Sequence, residues 1–241
     1  MDDLFNIEHE TPFIIIMSAA ICFASNWFIC KSEKFKTYFI RKEVDEKNWM
    51  KYIVFKKVSG LFFLGIIPTI VITLTSNKSI FDYGLNFNNL NKSFIYFIIA
   101  SVFVIVCTFI STKRKEMQNA YPEIRVNNWS MKLFIRYMMV MALYIFAYEL
   151  LFRGILLFVC LPAFGLWSAI AVNLLFYSST HIAKNGMETF ASFPFGFLLC
   201  IVTISTGSIL FAFLLHFLLA LSNELFSIYH NPEMKFARKI K

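Results

Sequence analysis

The chain has 241 residues, of which 58% are hydrophobic, 18% aromatic and only 16% charged. A soluble domain of this length would carry about a quarter charged residues, and the apolar residues stand in the long uninterrupted runs that are typical of membrane spans. The net charge of +8 is concentrated in segments 31–57, 113–136 and 235–241. This is the loop pattern of the positive-inside rule, and it argues against binding to nucleic acid. The composition therefore predicts a polytopic protein whose main partner is the lipid bilayer.

Seven apolar spans follow along the chain, and the predicted fold class is an all-α bundle of about seven transmembrane helices. The sixth span is short and contains Pro194 and Gly196, which favours a helix that is kinked, tilted or only partly spanning. The predicted limits of the spans are 12–30, 58–75, 94–112, 138–161, 166–183, 189–205 and 208–227.

The charges also predict the orientation of the chain. The basic loop 31–57 is expected in the cytoplasm, which places the acidic N-terminus outside and the C-terminal tail inside. The acidic start lacks the basic region of a cleavable signal peptide, so the first span is expected to be a retained anchor. Trp129, just before the fourth span, is predicted to be an interfacial anchor. The abundance of Phe, Ile, Lys and Asn favours an AT-rich bacterial genome, and we expect integration in a bacterial inner or plasma membrane.

The fourth span contains Glu149 and Arg153, which share a helix face at i,i+4 and can form an ion pair. Ionisable groups at bilayer depth cost about 2.5–3.5 kcal/mol each, so they usually pair and usually serve a function. Counted from Arg136, Glu149 lies about 20 Å into the membrane. Two later spans each carry one histidine; His216 lies at a similar depth, and His181 lies nearer the inner end.

These residue types can activate water without a covalent nucleophile. A carboxylate in a low-dielectric cavity is a usable general base, histidine can share its proton or stabilise an oxyanion, and arginine can hold the carboxylate ionised. Three other interpretations stay open. The Glu149–Arg153 pair could serve packing alone, or a Glu/His relay could serve proton-coupled transport, although no repeat symmetry supports this. Divalent metal such as zinc could bind His181, His216 and Glu149, but the chain has no HExxH motif, and we expect no cofactor.

The motifs resemble those of a known family. The stretch 149–154 (ELLFRG), then 177–181 (YSSTH), then His216 resemble the EExxxR, FxxxH and HxxxN motifs of the CPBP family. These are the CAAX proteases and bacteriocin-processing enzymes, also called the Abi family of intramembrane proteases. The resemblance implies a metalloprotease-like membrane hydrolase with a peptide or membrane-protein substrate. It also implies three parts: N-terminal membrane helices (1–119), a protease core (120–227) and a basic cytoplasmic tail (228–241).

The chain departs from the family pattern at three positions. Tyr148 stands where the motif has its first Glu, Tyr177 where it has Phe, and Ala220 where it has Asn. Asn223 is the candidate substitute for the missing Asn, although it lies about 10 Å along the helix axis from His216. Tyr148 is a weaker candidate for a proton donor.

The resemblance also implies roles, because the family uses its first Glu and first His to activate water and its second His and Asn as an oxyanion hole. We therefore expect Glu149 to act as the base, with His181 as its partner. Arg153 is expected to orient Glu149, and His216 to stabilise the oxyanion. The alternative function is that of a catalytically inactive relative, a binding, immunity or sorting protein of the membrane.

Overall fold

Long apolar helices dominate the computed structural model, which describes residues 10–40, 45–87, 90–182 and 186–237. Most of the acidic N-terminus and the last four residues of the basic tail lie outside these ranges. Short elements in the described ranges are a 3₁₀ helix (Ile80–Tyr83) and the strands β1 (Asn128–Trp129) and β2 (Lys235–Phe236). The helices are α1 (Glu10–Lys31), α2 (Glu33–Phe39), α3 (Glu46–Thr75), α4 (Leu90–Ser111), α5 (Lys115–Ala120), α6 (Met131–Phe164), α7 (Leu166–Ser179), α8 (Gly186–Thr206) and α9 (Leu210–His230).

The predicted polytopic all-α fold is confirmed. In the described part of the chain, six helices are long and apolar enough to cross a membrane: α1, α3, α4, α6, α8 and α9. The predicted span 166–183 corresponds to α7, which has 14 residues and is therefore about 21 Å long, shorter than the hydrocarbon core of about 30 Å. α8 is longer than predicted and holds Pro194 inside its 21 residues. α3 begins at Glu46 rather than at 58, so much of the predicted loop 31–57 is helical.

Helix α6 is the centre of the bundle. In its most apolar window 78% of the residues are buried, against at most 44% in the other long helices. α6 packs against α1, α3, α7, α8 and α9. Helices that face lipid leave apolar side chains exposed, so the low exposure of α6 means that protein shields it on most sides. The predicted Glu/Arg motif therefore lies in the protein core.

Among the described residues, two helices contain a π-helical turn, and these turns pack against each other. One covers Leu61–Ile66 in α3 and the other covers Leu150–Leu156 in α6. π-Helical turns are rare and occur frequently at functional sites. The turn in α6 begins directly after Glu149. Its Gly154 permits a close approach of the chain, because a Cβ there would lie 2.7 Å from the carbonyl oxygen of Tyr83.

The basic segments meet at one end of the bundle. β1 and β2 pair in parallel, with Trp129 opposite Phe236, and Glu123 binds Lys56 at 3.0 Å and Lys57 at 2.6 Å. Burial alone would raise the pKa of Glu123, but the two lysines hold it well below its usual value. Trp129 is fully buried, so its prediction as an interfacial anchor is wrong: the paired tail helps to cover it. These contacts place segments that were predicted to share one side of the membrane next to each other.

Candidate active site

Glu149 is the centre of the candidate site. Its Oε1 accepts a hydrogen bond from Nδ1 of His216 at 2.5 Å, and its Oε2 lies 3.2 Å from Nη1 of Arg153. The side chains of Glu149 and Arg153 are fully buried, whereas that of His216 is 15% exposed. The ion pair predicted from the i,i+4 spacing is therefore present. His216 is the member of the trio that reaches the accessible surface.

The surroundings of Arg153 favour a functional account of this ion pair. Its guanidinium lies over the ring of Tyr177 at 4.0 Å, a cation–π contact. Within the described residues its Nε and Nη2 have no hydrogen-bond partner. A buried ion pair contributes little to stability even when all of its hydrogen bonds are made. In this pair, two nitrogen atoms of Arg153 make none among the described residues. Helix packing alone therefore does not explain why the pair is buried here, which argues against a purely structural role.

A second group of polar contacts surrounds His181. The hydroxyl of Tyr148 lies 2.9 Å from Oγ1 of Thr180, and the same Oγ1 lies 2.9 Å from Nδ1 of His181. That Nδ1 is also 3.0 Å from the carbonyl oxygen of Tyr177. Tyr148 itself is buried, with 4% of its surface exposed.

The histidine that donates to Glu149 thus differs from the expected one. The sequence pairs Glu149 with His181, whereas in the structure the hydrogen bond comes from His216. The physical reason is the early end of α7 at Ser179. His181 consequently lies in the turn after the helix, where its Nδ1 faces the carbonyl of the last helical turn.

The ring of Tyr177 lies between the two groups. Its centroid is 5.0 Å from the ring of His181, 6.2 Å from that of His216 and 5.8 Å from that of Tyr148. The structure therefore brings predicted residues of α6, α7, the turn after α7 and α9 into one cluster around Tyr177. Asn223 lies apart from this cluster.

Asn223 is buried, and its Oδ1 has no hydrogen-bond partner among the described residues. It lies two helical turns, about 10 Å, from His216 along α9, too far to share an oxyanion with it. Sequence reasoning also missed two residues that the structure adds to the site, Thr180 and Phe195, whose ring lies 6.0 Å from that of His216. The hydroxyl of Thr180, directly before His181, was a signal that could have pointed to the first of them.

The candidate zinc ligands do not form a metal centre in the described part of the chain. No group of three or more His, Cys, Asp or Glu side chains there is arranged to hold a metal ion. Glu149 contacts only one of the two candidate histidines, and the Nδ1 of the other is held by Tyr177 and Thr180.

The fold and the site define a polytopic helical membrane protein with a buried Glu/Arg pair and two histidines at its centre. A family model described as Type II CAAX prenyl endopeptidase Rce1-like matches residues 129–222, somewhat less than half of the chain. This match confirms the resemblance to the CPBP family and supports the protease class that it implies. It spans the predicted site residues except Asn223, which lies directly beyond its end. No curated protein and no solved structure matches the chain.

Proposed function

We propose that the chain is an intramembrane endopeptidase that hydrolyses a peptide bond of a peptide or membrane-protein substrate. The observation that carries the proposal is the hydrogen bond from His216 to the buried carboxylate of Glu149. A carboxylate behind Nδ1 fixes the imidazole and stabilises its charged form, which makes Nε2 a general base. The family match supports the class of reaction.

The solvent exposure of the two side chains indicates which of them takes the proton from water. Glu149 has no exposed surface and His216 has some, so His216 is the member that meets water. Its Nε2 takes a proton as the water oxygen attacks the substrate carbonyl, and Glu149 stabilises the resulting imidazolium. The imidazolium then returns the proton to the leaving amine as the C–N bond breaks. Arg153 orients the carboxylate of Glu149.

This order differs from the one implied by the resemblance. In the mechanism that the resemblance implies, Glu149 activates the water directly and His216 stabilises the oxyanion. Here, Glu149 acts through His216, and we assign His181 to hold the attacking water, because both histidines contact Tyr177. The orientation with the basic end in the cytoplasm remains part of the proposal.

A comparison of protein termini tests the function without a known substrate. Membranes of cells that express the wild type, Glu149→Gln or His216→Gln would be compared, with each protein at equal abundance. We expect termini that appear only with the wild type. Glu116→Gln and His230→Gln are matched controls, because they make the same changes at an exposed glutamate and at a histidine at the end of α9; they should keep the termini. Identical termini in all five samples would refute the proposal.

The second candidate is an inactive relative that binds peptides or partner helices. It is favoured by Tyr148, which occupies the place of the first motif Glu and hydrogen-bonds Thr180, and by Ala220 at the place of the motif Asn. On this hypothesis Glu149→Gln keeps the cellular phenotype of the wild type. Large side chains introduced next to His216 abolish it instead.

A further inference from the structure

Thr180 has three hydrogen-bond neighbours but only one hydroxyl hydrogen. Its Oγ1 lies 2.7 Å from the carbonyl oxygen of Tyr177, 2.9 Å from the hydroxyl of Tyr148 and 2.9 Å from Nδ1 of His181. A carbonyl oxygen can only accept, so the hydrogen of Thr180 is best used toward Tyr177. Its oxygen then accepts from the other two groups, which makes Tyr148 the donor in its contact with Thr180.

The hydrogen-bond partners of Nδ1 of His181 likewise determine whether that nitrogen carries a hydrogen. Its Nδ1 lies 3.0 Å from the Tyr177 carbonyl and 2.9 Å from Oγ1 of Thr180. A bare lone pair on Nδ1 would face the carbonyl oxygen and repel it, whereas an Nδ1–H group donates to it. Nδ1 therefore carries hydrogen whether the ring is neutral or charged, and the neutral ring has its lone pair on Nε2.

We infer that Tyr148 and Thr180 are positioning residues that fix the ring and the Nδ1–H tautomer of His181. Tyr148 donates to Thr180 and holds its hydroxyl, and Thr180 and the Tyr177 carbonyl hold Nδ1. Nε2 of His181 is then the ring nitrogen with the lone pair, and in the proposed function it is the one that accepts a hydrogen bond from the attacking water. This assigns Tyr148 a role other than that of a proton donor to the substrate, because its hydrogen is engaged by Thr180. The role at the water rests on the proposed function, but the tautomer does not.

The tautomer can be measured directly by ¹⁵N NMR of the full-length protein in detergent micelles with labelled histidine. His9→Gln and His230→Gln would be introduced together, which leaves His181 and His216, and the signals would be assigned with His181→Gln. We expect a protonated Nδ1 and an unprotonated Nε2 for neutral His181. A neutral His181 with hydrogen on Nε2 would overturn the inference, whatever the enzyme cleaves.

Kinetics test the positioning role on a peptide that carries a cleavage site found from the termini. We expect Thr180→Val and Tyr148→Phe each to lower kcat about tenfold, the effect of one lost hydrogen bond, with little change in KM. The double variant should be no slower than Thr180→Val alone, because the two residues act through one another. Thr180→Ser retains the hydroxyl and should keep nearly the wild-type kcat.

Two results would contradict the positioning role without contradicting the proposed endopeptidase function. One is a decrease of kcat in the double variant that equals the product of the two single decreases. The other is a kcat of Thr180→Ser as low as that of Thr180→Val. Thermal unfolding of every variant separates lost folding from lost positioning. If the wild type cleaves nothing, the proposed function fails, and the NMR measurement still decides the tautomer.

Discussion

Removal of the cation from the buried ion pair gives the strongest test of how the site is held. Arg153→Met leaves Glu149 fully buried with one partner, His216, instead of two. Removal of one member of a buried pair costs about 3–5 kcal/mol. For a domain of this size, each kcal/mol lowers Tm by about 2–4 °C. We therefore expect Tm to fall by about 6–20 °C, measured by thermal unfolding in one detergent at pH 7.

A second substitution separates loss of charge balance from loss of packing. Glu149→Gln combined with Arg153→Met removes both charges, and we expect it to recover at least half of the lost Tm, because no unpaired charge remains buried. Arg153→Lys keeps the charge but loses the planar group over Tyr177. Its Tm should therefore lie between those of Arg153→Met and the wild type. An Arg153→Met variant with unchanged Tm, or a double variant no more stable than it, would show that the pair is not energetically coupled as the geometry requires.

Three further predictions concern the frame around the site. Glu123 has a folded pKa below its usual value of about 4.3, so its ion pairs stabilise the fold above that pH and lose this effect as the pH falls further. A plot of Tm against pH from about 5 to about 2 should therefore be flatter for Glu123→Gln than for the wild type. Trp129→Ala should lower the free energy of unfolding by about 3–5 kcal/mol, because the side chain is fully buried, and an effect below about 1 kcal/mol would contradict its burial by the tail. Gly154→Ala should lower the free energy of unfolding by about 1–3 kcal/mol because of the clash with the Tyr83 carbonyl. At Gly186 an added Cβ meets no described atom within 4 Å, so Gly186→Ala should leave Tm unchanged or slightly raised.

The apolar runs predicted the membrane helices because a span needs little more than length and hydrophobicity. The prediction was poorest where helices continue past the apolar run. α3 starts at Glu46, in a stretch rich in lysine and glutamate, because charged residues form helices outside the bilayer as readily as apolar ones do inside it. The burial of Trp129 could not be predicted locally, since it depends on pairing with Phe236, far away in the sequence.

Most of the residues in the candidate site could be predicted from the sequence, but their pairings could not. The i,i+4 spacing of Glu149 and Arg153 is a property of a single helix, so their ion pair follows from the sequence alone. The choice between two histidines depends on where α7 ends and how α9 is rotated against α6, and both are set by packing. The π-helical turn after Glu149 also leaves no signature in the apolar pattern, because it changes the hydrogen-bond register and not the residue types.

The two histidines are held in the same way but by groups of different charge. Each is bound through Nδ1, His216 by the carboxylate of Glu149 and His181 by the hydroxyl of Thr180 and a carbonyl oxygen. A carboxylate stabilises an imidazolium, and neutral oxygen atoms do so much less. In the proposed mechanism the proton taken from water therefore goes to His216, and Nε2 of His181 accepts a hydrogen bond from the second hydrogen of that water. In the proposed mechanism, the exchange of the first motif Glu for Tyr148 moves the base from that carboxylate to His216, so the exchange does not by itself exclude catalysis.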